Sequence, residues 1–209
     1  MVGETTIPLF PLEVVLMPSM PLPLHIFEER YKLMIGECLE QKREFGVVYQ
    51  KGSDMKKIGC TARIVQVLRR FDDGRLDIMT QGAERFVIES INEDKPYLQA
   101  EVIYFDDERE KGADNLIADG IKLLEALDGM TGKKRDYRSL SRMDRKTISF
   151  VICYNDVFSM EEKQSFLEMT STSERIRKGV DSLRKAVELM QITEEIRRIA
   201  GGNGDLRSK

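Results

Sequence analysis

One histidine, three cysteines and one concentrated run of cations are the side chains from which chemistry would have to be built. An imidazole titrates near neutrality and serves as a general base when a nucleophile and a carboxylate adjoin it. Glu28 and Glu29 follow His25 closely, but their spacing does not orient them toward it. His25 is therefore read as a structural residue at the start of a helix. A single histidine also excludes a multi-histidine metal site within one chain. Cys38, Cys60 and Cys153 lie on apolar stripes and read as buried small hydrophobes. Their odd number and wide spacing fit neither a disulfide framework nor a zinc cluster, so a reduced, cytoplasmic chain is expected. The nearest approach to a phosphate-binding loop, Gly129-Met130-Thr131-Gly132-Lys133-Lys134, lacks the spacing and the final hydroxyl. There is no G-x-S-x-G elbow. No catalytic residue, cofactor or metal is expected, and the chain reads as non-enzymatic.

Two groups of residues suit binding instead. Residues 133–146 hold seven basic side chains against two acidic ones. A polyanion such as RNA would use Arg135, Arg138, Arg142, Arg145 and Lys146. Tyr137 is the one aromatic there for base stacking, and a solvated loop and helix face is the plainer reading. The chain also carries eleven methionines. Met17 and Met20 lie among prolines, where they need not be core. Flexible thioethers suit surfaces that take varied apolar peptides, which makes these two the candidate peptide contacts.

These residues must be positioned by a chain of 209 residues, 41% apolar and 33% charged, with net charge −3. That supports one large domain or two small ones with a real core. It excludes a disordered chain and a strongly basic nucleic-acid binder. No apolar run approaches the length of a membrane span, and residues 1–10 show no secretory signal. All six prolines precede residue 106, and helical periodicity follows it. The expected organisation is α+β: a β-rich domain over 1–106, a linker over 107–113, a helical bundle over 114–201 and a flexible tail over 202–209.

Five prolines in the first 23 residues forbid a regular central strand and leave short extended pieces at 5–10, 14–17 and 22–24. Residues 25–42 read as a helix with Phe27, Tyr31, Met34, Ile35, Cys38 and Leu39 on one face. Gly36 within it suggests close packing against a neighbour. Strands follow at 45–50, 58–70, 75–80, 85–91 and 97–105. The alternation slips at Val65, which predicts a bulge, and Asp73-Gly74 predicts a hairpin with a type I′ turn. The helical half reads as about four helices, including one over 139–153. Capping boxes at Ser159–Glu162 and Ser171–Glu174 open the last two. In the final helix Ile176, Val180, Leu183, Val187 and Met190 form a stripe that Ile192, Ile196 and Ile199 continue, slightly rotated.

One ordered set of short motifs goes further. Ile7-Pro8-Leu9-Phe10-Pro11-Leu12 precedes Met17-Pro18-Ser19-Met20-Pro21-Leu22-Pro23-Leu24-His25-Ile26-Phe27-Glu28-Glu29-Arg30-Tyr31. Phe45-Gly46-Val47-Val48, Ile58-Gly59-Cys60-Thr61-Ala62, Asp73-Gly74-Arg75 and Gly82-Ala83-Glu84-Arg85-Phe86 follow in order. The set resembles the Lon substrate-binding domain, also called the Lon N-terminal domain, in its stand-alone bacterial form. The helical half, with Arg175 in its last helix, is similar to the bundle that follows in that family. The resemblance implies a PUA-like β pseudo-barrel with one helix, then a helical bundle ending in a long helix. It implies recognition of proteins or peptides and no catalytic residue; the leading reading is a module that holds unfolded or exposed protein segments, as an adaptor in protein quality control for a protease or chaperone. The ATPase and Ser-Lys peptidase modules of the protease have no counterpart in these 209 residues, so proteolysis is not implied. Binding of RNA or another polyanion through the barrel and residues 133–146 is the alternative.

Overall fold

Strand β1 (Thr5–Leu12) runs through Pro8 and Pro11 because it changes partner half-way. Its first half pairs antiparallel with β6 (Gln99–Phe105) and its second half pairs parallel with β3 (Phe45–Lys51). Neither proline is flanked by strands on both sides, so no ladder needs the missing donor. β2 (Pro21–Ile26), β4 (Asp54–Arg70) and β5 (Leu76–Asn92) complete one six-stranded sheet in the order β2-β5-β4-β3-β1-β6. A β5–β6 pairing closes it on itself. Ile7, Leu9, Val48, Phe86, Ile88, Ala100 and Val102 fill the interior. The computed structural model describes residues 5–109 and 115–202. The expected linker at 107–113 and tail at 202–209 fall largely outside them.

The segment before β2 is not a strand at 14–17. Val15, Leu16 and Met17 are buried without pairing, and the chain turns at Ser19 with φ 67°. His25 and Ile26 belong to β2, and α1 (Glu29–Gln41) starts four residues later than its apolar spacing suggests. A side chain at Gly36 would meet nothing within 4 Å, so no neighbour requires that glycine. Two expected strands, 75–80 and 85–91, are one continuous β5. The hairpin before it closes through Phe71 N to Arg75 O, 3.0 Å. Only Gly74 there has positive φ, 82°, so the loop spans three residues ending in a left-handed glycine rather than the two of a type I′ turn.

The chain divides into two compact units. The first holds the sheet, α1 and also Phe158–Thr170, which includes α4 (Met160–Glu168). This differs from a single helical stretch over 114–201. The reason lies in side chains distant in sequence. Gln164 Nε2 donates to the Ile58 carbonyl at 3.0 Å, and Glu161 accepts from Tyr49 and Lys51. The Arg85 guanidinium, almost fully buried, donates to the carbonyls of Leu167 and Met169 at 2.9 and 2.5 Å and is paired with Asp107. It thereby satisfies carbonyls at the α4 C-terminus that have no helical partner.

The second unit contains α2 (Asn115–Thr131), α3 (Arg145–Cys153) and α5 (Thr172–Gly202). The helix expected over 139–153 is broken. A 3-10 turn spans Arg138–Arg142, and Asp144 restarts the chain as N-cap of α3 by accepting from Thr147 N at 2.9 Å. Ser159 and Glu162 form both bonds of a capping box, and Ser171 accepts from Glu174 N at the start of α5. Leu124, Leu127, Ile148, Ile152, Val180 and Leu183 are buried in this unit. So is Arg175, whose guanidinium lies 3.9 Å from the centre of the Phe150 ring.

Candidate functional site

The residues expected to touch peptide are core. Met17 and Met20 are 0% and 7% exposed. Ser19 N donates to Gly82 O at 2.8 Å and Gly82 N to Met20 O at 2.9 Å, which draws the turn against β5. A Cβ at Gly82 would lie 2.1 Å from the Met17 carbonyl oxygen, so the close approach depends on that glycine. Both side chains are buried.

Three cations of the stretch are answered by nearby carboxylates. Lys133 pairs with Asp156 at 2.5 Å, and Arg135 lies 3.8 Å from both Asp128 and Asp156. Arg138 is bidentate on Asp136. Arg145 reaches Ser173 Oγ at 3.4 Å and is half-buried, as is Lys146, while Arg142 is exposed. Tyr137 is buried and donates to Asp128 at 2.9 Å; burial foremost, then Asp128, push its pKa up to about 12. It offers no stacking platform. Asp128 and Asp156 lie outside the basic window, so a charge count within the window misses them.

The cysteines are free and buried. Burial raises the Cys38 thiol pKa and pushes that of Cys153 up to about 12, away from nucleophilic chemistry at neutral pH. His25 Nδ1 sits 2.6 Å from Asp77 Oδ1, and its ring stacks on Phe27 and meets the edge of Phe71. No nucleophile adjoins the pair among the contacts described.

His25 instead marks a surface. β4 and β5 are each 17 residues long, and only part of each closes the barrel. Residues 63–70 of β4 and 76–81 of β5 run on with β2 as a three-stranded ribbon. Paired residues share a face. One face therefore carries the rows Pro23, Met79, Gln66 and His25, Asp77, Arg69. The register slips between Ile64 and Gln66 and again between Val67 and Arg69, which leaves Val65 and Leu68 without partners on β5. These two are about half exposed, and Phe27, at the end of β2, is 59% exposed. The slip at Val65 was legible in the alternation. Phe27 was misplaced by extending the helix, and the bulge at Leu68 left no signal.

Cations lie along the same ribbon. Arg69 and Arg75 lie 4.4 and 4.8 Å from the centre of the Phe71 ring. Arg63 and Ile64 also line a cavity of about 320 Å³ with Cys38, Leu39 and Arg43. The ribbon's open backbone edges are blunted. Pro21 and Pro23 bring no N–H to β2, while bulges and arginines interrupt residues 63–70 of β4. The surface is thus suited to hold a segment by its side chains rather than by adding a strand.

Residues 6–185 match the ATP-dependent protease La (LON) substrate-binding domain. The chain belongs to this family. The Lon protease of Buchnera aphidicola is 27% identical over 206 residues, covering 91% of this chain and 26% of that protein. The Lon protease of Dictyoglomus thermophilum is 25% identical over 203 residues, with the same shares. The chain thus spans about a quarter of the length of these relatives. Two solved structures share the fold. A Lon N-terminal domain protein from Xanthomonas campestris has a TM-score of 0.66 at 21% identity, covering 83% of this chain and 96% of that one. The N-terminal domain of a Mycobacterium avium complex Lon protease has a TM-score of 0.65 at 17% identity, covering 86% and 98%. The observed α+β architecture, a mixed six-stranded sheet with a long last helix, agrees with the Lon N-terminal domain fold that the resemblance implied. The matched part of the Lon relatives is the substrate-binding domain, outside the protease and ATPase parts. No helix among the described residues is long and apolar enough to cross a membrane.

Proposed function

We propose that this Lon-type domain is a non-catalytic module that holds exposed or unfolded segments of other proteins, as an adaptor in protein quality control. The observation that carries the reading is the exposure of Phe27, Val65 and Leu68 along a ribbon that overruns its own barrel. Burying the remaining half of three such side chains is worth about 1 kcal/mol each. Ordering the captured segment offsets part of that gain, so affinity is modest. Arg63 and Arg75 are already paired with Glu44 and Asp73, so the charge that favours acidic side chains in a bound segment is that of Arg69. Three free, buried cysteines support a reducing, cytoplasmic setting.

The test is titration of the full chain with a carboxymethylated, permanently unfolded polypeptide. Binding at roughly tens of micromolar is expected. The double variant Phe27→Ser, Leu68→Ser weakens it about tenfold while the thermal midpoint holds. No binding, or equal binding by the variant, refutes the reading. Parallel titration with single-stranded RNA addresses the alternative. Binding that falls steeply with salt and is lost in Arg138→Ala, Arg142→Ala would assign the function to the cationic stretch.

A further inference from the structure

Helix α5 changes its apolar side part-way along. At about 100° per residue, Ile176, Val180, Leu183 and Val187 fall within one arc of about 60°, and all four are buried. Leu189, Ile192, Ile196 and Ile199 centre about 170° away, on the opposite side of the helix, and are 55–66% exposed. They do not continue the first stripe. Where that stripe would run on, α5 carries Glu194 and Arg198. The face that completes the bundle core therefore cannot cover the second stripe.

The second stripe has the spacing of a helix-pairing seam, three, four and three residues apart. Its two borders differ. Glu188 and Glu195, seven apart, flank one side, and neither takes part in an ion pair among the described residues. Ala186, Thr193 and Ala200, also seven apart, flank the other and leave room for close approach. We propose that residues 186–200 of α5 dock an amphipathic helix of a partner protein, one whose apolar stripe is bordered by lysine or arginine.

Charge selects this occupant. In an antiparallel pair of two copies, the Glu188 and Glu195 borders would face each other, acid against acid. In a parallel pair they would face Thr193 and Ala200, which offer no cation. A basic-bordered helix meets both glutamates. An anionic lipid surface is disfavoured by the same two charges. Two heptads bury little area for any occupant, so the expected affinity is micromolar. The inference does not depend on client binding by the ribbon.

The experiment uses the full chain and three synthetic 21-residue helical peptides: leucine seam with lysine borders, leucine seam with glutamate borders, and serine seam with lysine borders. The first is expected to bind at micromolar concentration and the other two at least tenfold more weakly. Ile192→Ser, Ile196→Ser should weaken the first peptide more than tenfold. Glu188→Lys, Glu195→Lys should reverse the preference between the lysine- and glutamate-bordered peptides, an outcome that misfolding cannot mimic. Equal binding of all three peptides, or of none, overturns the proposal. So does a dimer of the free chain that Ile196→Ser abolishes in sedimentation, or binding to phosphatidylglycerol vesicles through the same residues.

Discussion

The ribbon of β2, β5 and β4 and the last turns of α5 both overrun the core that their own element helps to build, but they display apolar side chains in different ways. On the ribbon, Phe27 directly follows β2, and Val65 and Leu68 are placed by bulges in β4. Cations lie along that ribbon. On α5 the four exposed residues keep a seam period and their border is acidic. Irregularly spaced apolar side chains tolerate segments of varied sequence, whereas a periodic seam demands a matched helix. The opposite charges imply that the two surfaces take different partners, one client and one helix.

The comparison requires that the inner halves of these elements carry stability and the outer halves do not. The largest effect is expected at Arg85. Arg85→Leu leaves the Asp107 carboxylate buried and the Leu167 and Met169 carbonyls without their donor. A loss of about 3–5 kcal/mol in urea unfolding is expected, with faster proteolysis near residues 158–170. Next comes a contrast within one helix. Leu183→Ala should cost about 2–5 kcal/mol, because Leu183 is fully buried. Ile196→Ala, on the outer half, should cost no more than about 0.5 kcal/mol. Equal costs would mean that the outer stripe is covered within the chain, and the distinction between halves would collapse. A smaller gain is expected from Gly36→Ala, about 1 kcal/mol of added stability seen as a higher thermal midpoint, since nothing lies near the added methyl.

The smallest effect is a pH dependence. The Glu37 carboxylate accepts from Lys95 at 2.5 Å and Tyr97 at 2.6 Å, which holds its pKa below the ordinary carboxylate value. A lowered folded-state pKa gives stability that is complete above the unfolded pKa and is lost as pH falls through the folded one. Glu37→Gln should therefore reduce the drop in thermal midpoint between neutral pH and the region below pH ~4, and melting curves across that range read it directly.

Local signals carried much of the fold. Asp73-Gly74 marked the hairpin, the slip at Val65 marked a bulge, and Ser159–Glu162 marked the start of α4. Each depends on residues within a few positions of one another. What stayed hidden depends on long-range register. Met17 and Met20 are core because Gly82 admits the turn, sixty-odd residues away. His25 continues a strand because β5 offers Asp77 opposite it, while its own neighbours suit a helix. Residues 158–170 join the barrel through Arg85 and Ile58. Charge neutralisation of Arg135 comes from Asp128 and Asp156, which a local window omits. The change of side in α5 was available from the sequence, since it needs only 100° per residue, but a stripe followed by spacing alone reads as continuous.

The most direct test of two independent surfaces is a double titration of the full chain. The chain is first saturated with the lysine-bordered helical peptide, and the unfolded polypeptide is then titrated in. An unchanged dissociation constant for the polypeptide and a ternary complex in sedimentation are expected. Stoichiometric displacement of one ligand by the other would contradict independent surfaces, because both would then occupy a single surface.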